Sequence, residues 1–192
     1  MTRIWILALV LLATGCTGAP RPDVIAKKPP QFLSLPPGSL GHSLSLSQLV
    51  TGEYGGEIYK MRYELDITPE RLAIVGLSPL GVTLFTIVHE KGELAVETLA
   101  GSEVKFDPRY SLFDVYLTYW PTAALRAALS RIRMRLDEAA DGSFRRVRGP
   151  DGEMIAEITY PSKRLKTGEI IIQHFNFPYQ LRVETLEARD AR

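Results

Sequence analysis

The 192-residue chain has one cysteine, almost no net charge and no long apolar run near its start. A secreted domain built on disulfides would carry an even set of cysteines, so Cys16 excludes such a framework. Lysine plus arginine number 23 against 22 aspartate plus glutamate, which argues against a general nucleic-acid binder. The uncharged stretch 4–13 is far shorter than the roughly 20 residues of a membrane-spanning helix.

The sequence also lacks the motifs that most enzymes need. The three histidines lie far apart and outside any metal-binding spacing: His42, His89 and His174. No glycine loop for phosphate is present. Segment 76–81, Gly-Leu-Ser-Pro-Leu-Gly, resembles a nucleophile elbow, but Pro79 has no N–H to donate to an oxyanion. Asp137 and Glu138 are neighbours in a strand and face opposite ways. We therefore expect no enzymatic activity, metal or cofactor.

The N-terminus has the features of an export signal. Arg3 precedes the uncharged stretch, as in a signal peptide. Ala13-Thr14-Gly15-Cys16 then resembles the lipobox of bacterial lipoproteins, although that family prefers leucine where Ala13 stands. The resemblance implies cleavage before Cys16 and lipid on its thiol, and Thr17 in the sorting position implies the periplasmic face of the outer membrane. An ordinary signal followed by a stray cysteine is the alternative.

The proline content distinguishes a segment that precedes the folded domain, because six of the 13 prolines fall within residues 17–42. Such a segment favours extended geometry. We assign residues 1–15 to the signal peptide, 16–42 to the lipidated cysteine and proline-rich tether, 43–188 to one β-rich domain and 189–192 to a tail. The tether itself is expected to end near residue 31.

The domain is predicted to be α+β and mainly β. In segment 58–68 Tyr59, Met61 and Tyr63 alternate with charged residues, which is typical of a half-buried antiparallel strand. Further strands are predicted at 71–77, 83–89, 93–99, 131–136, 144–148, 154–160, 169–176 and 180–186. Apolar residues recur at helical spacing after Pro108 and again after Pro121, which predicts two helices between the strands 93–99 and 131–136. We expect a strongly curved antiparallel sheet, a half-open barrel, with one or two helices covering its concave face.

Two features of this domain have both a functional and a structural interpretation. An arginine-rich region, 126–148, could contact lipid phosphates or form a solvated face balanced by acids. The turn at 77–80 places Leu77 and Leu80 where polar residues are usual, so it could contact lipid or a partner, or fold back on the core.

Large apolar side chains on the inward faces could line a cavity or fill a core. The candidates for the cavity lining are Tyr59, Met61, Tyr63, Leu65, Phe85, Phe113, Tyr116, Trp120, Leu125 and Met134.

Several short motifs resemble an uncharacterised family of bacterial lipoproteins that is associated with aryl-polyene biosynthesis clusters. They are the 76–81 turn, Leu84-Phe85-Thr86, Leu112-Phe113-Asp114, Tyr119-Trp120-Pro121 and Tyr179-Gln180-Leu181. That family is distantly similar to the LolB family of outer-membrane lipoprotein receptors. The similarity implies a half-open barrel with an apolar cavity, and a loop leucine, Leu77 or Leu80 here, that meets the membrane or the cargo.

These observations together predict a non-enzymatic lipoprotein of the outer membrane that binds or transfers acyl chains of a lipoprotein or an aryl-polyene lipid. Its expected partners are the membrane, through the N-terminal lipid, an acyl or lipid-like ligand and a periplasmic carrier protein, with no nucleic acid. An assembly lipoprotein with a filled core and a protein partner is the first alternative, and a lipid-modifying enzyme is the second.

Overall fold

The computed structural model describes residues 33–54, 56–99, 106–162, 168–176 and 179–189, and these contain ten strands and two α-helices. The strands are β1 (Leu44–Tyr54), β2 (Glu57–Ile67), β3 (Arg71–Leu77), β4 (Thr83–Glu90), β5 (Glu93–Thr98), β6 (Arg135–Glu138), β7 (Phe144–Arg148), β8 (Met154–Thr159), β9 (Glu169–His174) and β10 (Tyr179–Arg189). The helices α1 (Arg109–Tyr119) and α2 (Thr122–Arg131) follow β5, and a short 3-10 helix, Pro37–Leu40, precedes β1. Neither α-helix is long and apolar enough to cross a membrane.

All the strands belong to one antiparallel sheet with the order β5-β4-β3-β2-β1-β10-β9-β8-β7-β6. The first and last strands, β1 and β10, pair in its middle. The two edges are β5 and β6, so the segment that joins them, with α1 and α2, crosses one face of the sheet. Side chains of α1 meet β1, β2 and β9 there. The predicted fold class, an open curved antiparallel sheet with helices against its inner face, is confirmed.

Strict alternation explains how the sheet presents one apolar face to α1. In β2, Met61, Tyr63 and Leu65 are buried while the residues between them are partly or fully exposed. Strand β1, which was not predicted, follows the same rule: Leu44 and Val50 are among its buried residues, and serines and threonines alternate with them. These two strands therefore give every second side chain to the core.

The two ends of the sheet differ in what they carry. The β1–β2, β3–β4, β7–β8 and β9–β10 connections lie at one end, which we call the Leu80 end, because Leu80 is in the β3–β4 turn. The β2–β3 and β4–β5 turns lie at the other end, which we call the Pro69 end. The chain enters at the Pro69 end: a Cβ added to Gly38 would lie 3.0 Å from the carbonyl oxygen of Pro69, and Leu44 pairs with Ile67.

Two predicted boundaries are corrected. Residues 33–42 were assigned to the tether, but Leu33, Leu35 and Leu40 are buried in the core, so the domain begins no later than residue 33. The strand predicted at 131–136 begins only at Arg135, because α2 continues to Arg131. The C-terminal boundary needs little change, since β10 ends at Arg189. The signal peptide, Cys16 and the tether up to residue 32 lie outside the described residues and stay predictions.

Candidate functional site

A small cavity lies between α1 and the central strands of the sheet. Its volume is about 20 Å³, which suits a water molecule and not a lipid chain. Its wall combines apolar side chains of the sheet with polar groups, Gln48 on β1 and Asp114 on α1 among them. Thr118, also in this wall, has a buried hydroxyl with no partner among the described residues.

The structure brings most of the predicted lining residues together, but in a packed core. Of the ten predicted lining residues, Tyr63 is the one that lines the cavity found here. Tyr59 and Met134 are half-buried. The other predicted residues are buried among one another and their neighbours: Met61, Leu65, Phe85, Phe113, Tyr116, Trp120 and Leu125. The interior that the described residues form is therefore packed, and a larger ligand would have to separate α1 from the sheet.

A cluster of buried polar groups ties α1 to the sheet beside this cavity. The Asp114 carboxylate lies 2.6 Å from Nε2 of His174 on β9, and it accepts a hydrogen bond of 3.1 Å from the hydroxyl of Tyr179 on β10. Tyr63 on β2 and Ser111 on α1 share a hydrogen bond of 2.9 Å between their hydroxyls. Burial and the charge of Asp114 raise the pKa of Tyr179 well above its usual range, so this phenol stays a donor.

Sequence reasoning missed this cluster, although two signals pointed to it. Asp114 falls in a helix whose residues from 111 to 118 are all buried, and a carboxylate in such a place needs partners. His174 continues the inward alternation of Ile170 and Ile172 in β9. A histidine on the same face as core residues needs a polar partner from the element that packs against that face, and here Asp114 on α1 is that partner.

A second buried histidine, His89 on β4, contacts the hydroxyl of Tyr116 through Nδ1 at 3.0 Å. That hydroxyl donates to the carbonyl oxygen of Leu35 at 3.2 Å, so its lone pair is left to accept from His89. Burial lowers the pKa of His89. This group therefore connects the sheet, α1 and the segment before β1, and it is neutral in the folded protein near pH 7.

The lowered pKa of His89 predicts a loss of stability in mild acid. The unfolded chain protonates this side chain below a pH of about 6.5, while the folded chain resists protonation, so the free energy of unfolding falls as the pH drops from there. Carboxylates contribute mainly at lower pH. We expect His89→Gln to flatten this slope between about pH 6.5 and 5 in urea titrations. His42→Gln, which changes an exposed histidine, is the control, and an unchanged slope in His89→Gln would contradict the assignment.

The β3–β4 turn holds its apolar tip in the solvent. Leu80 is 91% exposed and Leu77 is half-buried at the end of β3. Ser78 donates its N–H to the carbonyl of Val82 at 2.8 Å and accepts from the N–H of Gly81 at 2.9 Å. Gly81 has a φ of 81°, a value that suits glycine. The turn is closed by its own hydrogen bonds and does not fold Leu80 back on the core.

Other exposed apolar side chains accompany Leu80 at the same end of the sheet. This group, which we call the apolar rim, consists of Ile58, Leu80, Val82, Leu99 and Phe175. Each belongs to a connection or a strand end at the Leu80 end. Exposed apolar residues are common singly, so it is the shared location of these five at one end of the sheet that makes the apolar rim a candidate contact surface.

The arginine-rich region separates into two parts. In β7, Arg145 pairs with Glu138 at 2.8 Å, Arg146 pairs with Glu157, and Arg148 pairs with Asp137 at 3.1 Å. Arg146 and Arg148 fit the interpretation of a face balanced by acids, whereas Arg145 is buried on the inner face of the sheet. Arg131, Arg133 and Arg135 are exposed and belong to the connection between α2 and β6.

The protein is thus a curved antiparallel sheet closed by an interior helix, with an apolar rim at one end. Its sequence belongs to the family described as protein of unknown function (DUF3261), whose match covers residues 45–187. No curated protein matches the chain.

Several solved structures are similar to this one. A LolA superfamily protein from Nitrosomonas europaea has a TM-score of 0.46 at 9% identity, over 83% of this chain and 89% of that one. A putative outer membrane lipoprotein-sorting protein domain from Vibrio parahaemolyticus has a TM-score of 0.45 at 9% identity, over 77% and 85%. A DUF1329 family protein from Desulfovibrio piger has a TM-score of 0.41 at 8% identity, over 78% and 85%.

Proposed function

We propose that this protein is a non-enzymatic lipoprotein of the outer membrane that binds acyl chains in the periplasm and passes them to or from a membrane. The cargo is a lipidated protein or an aryl-polyene lipid. Lipid on Cys16 keeps the domain beside the membrane, and the apolar rim contacts the bilayer or the chains of the cargo.

Leu80 is the observation that carries this proposal. A leucine that is 91% exposed buries little apolar surface in the fold. The turn that presents it is closed by two backbone hydrogen bonds, from Ser78 to Val82 and from Gly81 to Ser78. Removing a side chain of this size from water is worth about 1.5–3 kcal/mol. That gain is realised only against an apolar partner, and a lipid chain is such a partner.

Cargo binding in the interior requires α1 to move. Pockets for ligands of moderate size have volumes of about 300–1,000 Å³, whereas the cavity under α1 has about 20 Å³. The first half of α1 is held by polar pairs, Asp114 with His174 and Ser111 with Tyr63. A ligand that enters from the Leu80 end would separate these pairs first, because His174 is the last residue of β9 at that end.

The tether is long enough for the rim to reach the membrane. The chain enters at the Pro69 end, opposite the rim. A segment as long as 17–32 would span about 50 Å if it were extended at about 3.1 Å per residue. A strand as long as β1 measures about 36 Å at roughly 3.3 Å per residue. The anchor therefore lets the domain turn the Leu80 end toward the membrane that holds it.

Leu80→Glu is expected to leave folding intact and to slow lipid transfer about tenfold or more, because the glutamate cannot enter an apolar phase. The measurement uses the chain from Thr17 onward, which keeps every described residue, and follows a pyrene-labelled phospholipid from donor to acceptor vesicles. Leu186→Glu, a change at another exposed leucine that lies on β10 outside the rim, is the matched control. Equal transfer by the wild type and Leu80→Glu would refute the role of the loop.

A second function, assembly with a protein partner, is favoured by the small volume of the cavity. It requires the apolar rim but no ligand inside. Native mass spectrometry of the chain from Thr17 onward, purified from an extract of its own organism, distinguishes the two functions. A stoichiometric adduct of lipid mass that organic solvent removes supports the acyl-chain binder. A bare protein that transfers no pyrene phospholipid would favour assembly.

A further inference from the structure

Three arginines at the Leu80 end have no acidic partner among the residues that the structure describes. Arg131 ends α2, Arg133 follows it, and Arg135 begins β6. All three are exposed, and none forms an ion pair within the part of the chain that the structure describes. The adjoining β7–β8 turn carries Asp151 and Glu153, but the Glu153 carboxylate accepts the backbone N–H of Asp151 at 3.0 Å.

Arg133 occupies a position where glycine would be more stable. Its φ is 60°, in the left-handed region. It ends α2 with two hydrogen bonds: its own N–H donates to the carbonyl of Ser130 at 3.1 Å, and the N–H of Met134 donates to that of Leu129 at 2.9 Å. This is the pattern of a helix end at which glycine is usual, because a Cβ is unfavourable there.

Arg135 is also unfavourable for the fold. It lies directly opposite Arg148 in the β6–β7 pair. Like charges in that relation repel each other, and Arg148 already has Asp137 as its partner. Arg131 has a structural reason for its charge, since a cation in the last turn of a helix interacts well with the helix dipole. Arg133 and Arg135 have none that the fold supplies.

The position of these arginines relative to the apolar rim fits the profile of a membrane surface. Both groups lie at the Leu80 end, with the rim along β5 to β9 and the arginines at the β6 edge. Apolar side chains enter a bilayer below the level of the headgroups, while arginines stay at the phosphates. A guanidinium binds a phosphate through two parallel hydrogen bonds.

We propose that Arg133 and Arg135, with Arg131, bind the phosphate groups of anionic lipids when the Leu80 end meets a membrane. This inference rests on the proposed function, since it places the same end at the bilayer, but it assigns a different interaction. The rim supplies apolar contact with any bilayer. The arginines make the protein prefer an anionic surface and fix the rotation of the domain on it.

The test compares vesicles of phosphatidylcholine with vesicles in which a quarter of that lipid is replaced by phosphatidylglycerol. The chain from Thr17 onward is expected to bind the anionic vesicles more tightly, and this preference is expected to fall with added salt. Arg133→Gln with Arg135→Gln should weaken binding to the anionic vesicles about 25-fold, about fivefold for each arginine. Binding to the neutral vesicles should not change.

Lys91→Gln with Arg189→Gln is the control, because it removes the same charge at the Pro69 end, from two exposed residues that have acidic neighbours. An equal loss in this control would reduce the effect to net charge and overturn the assignment. No preference of the wild type for phosphatidylglycerol would also overturn it, and would point to an acidic protein as the partner. If Leu80→Glu leaves lipid transfer unchanged, the role of the loop in the proposed function fails, while the vesicle measurements still decide the role of the arginines.

Discussion

Arg145→Met is expected to lower the free energy of unfolding by about 3–5 kcal/mol, the usual effect of removing one partner of a buried ion pair. The guanidinium side chain is 8% exposed, and its Nε donates to Glu138 at 2.8 Å. Its Nη1 donates to the carbonyls of Leu117, Thr118 and Trp120 at 2.9, 3.1 and 3.0 Å. These carbonyls lie at the end of α1, where no helical N–H follows to satisfy them.

The effect is large because the substitution removes a charged donor from several polar groups at once, although the carbonyl of Thr118 keeps the hydroxyl of Tyr160. Three carbonyls lose a charged donor, and Glu138, whose pKa is held below its usual range by Thr122 and Arg145 against the effect of burial, keeps a charge with one fewer neighbour. Lysine at position 145 should recover only part of the loss, because one ammonium cannot reproduce the planar guanidinium contacts.

Urea unfolding of five variants, Arg145→Lys and Glu138→Gln among them, measures this contribution. Arg146→Met is the matched control, since the next residue also pairs with a glutamate but is 38% exposed, and its loss should stay below about 1 kcal/mol. The double variant Arg145→Met with Glu138→Gln should lose less than the sum of the two single changes, because each single change leaves one charge without its partner and the double variant does not. A loss for Arg145→Met no larger than that of Arg146→Met would mean that α1 does not depend on this anchor.

Arg145 also shows why part of the candidate site could not be predicted. Its place in an arginine-rich region suggested an outer basic face, and nothing local distinguishes it from Arg146. The difference comes from the pairing of β7 with β8, which gives Arg145 to the inner face and Arg146 to the outer one. The buried face is the one that α1 and α2 cover. Those helices follow β5 at the opposite edge of the sheet, so much of this contact is not local in the sequence.

The fold itself was easier to predict, because alternation and turns are local signals. The faces of β2 follow directly from its period of two. The apolar turn at Leu80 was identified for the same reason, since leucine is unusual at a hairpin tip. The pair of Asp114 and His174 could not be derived, because 60 positions separate them in the sequence. Only their burial on an apolar helix and an inward strand face hinted that each needed a partner.

The packed core gives the second large expected effect, which concerns Trp120. The indole is fully buried, packs edge-on against Tyr116 with ring centroids 4.7 Å apart, and donates its N–H to the hydroxyl of Ser39 at 2.8 Å. It therefore joins the end of α1 to the segment that precedes β1. Trp120→Ala is expected to lower the free energy of unfolding by about 3–5 kcal/mol, because it leaves a cavity that a packed core cannot fill.

Two comparisons separate packing from the hydrogen bond in that loss. Ser39→Ala should cost about 0.5–1.5 kcal/mol, the net value of one hydrogen bond. Phe175→Ala, which removes an aromatic ring that is 51% exposed, should stay within about 0.5 kcal/mol. Added indole should raise the Tm of Trp120→Ala and not that of the wild type, because an apolar cavity binds a ligand of its own shape. A loss below about 1 kcal/mol would instead mean that Trp120 borders open space. In that case the interior would accept an acyl chain without movement of α1, and the polar pairs along the helix would not have to break during loading.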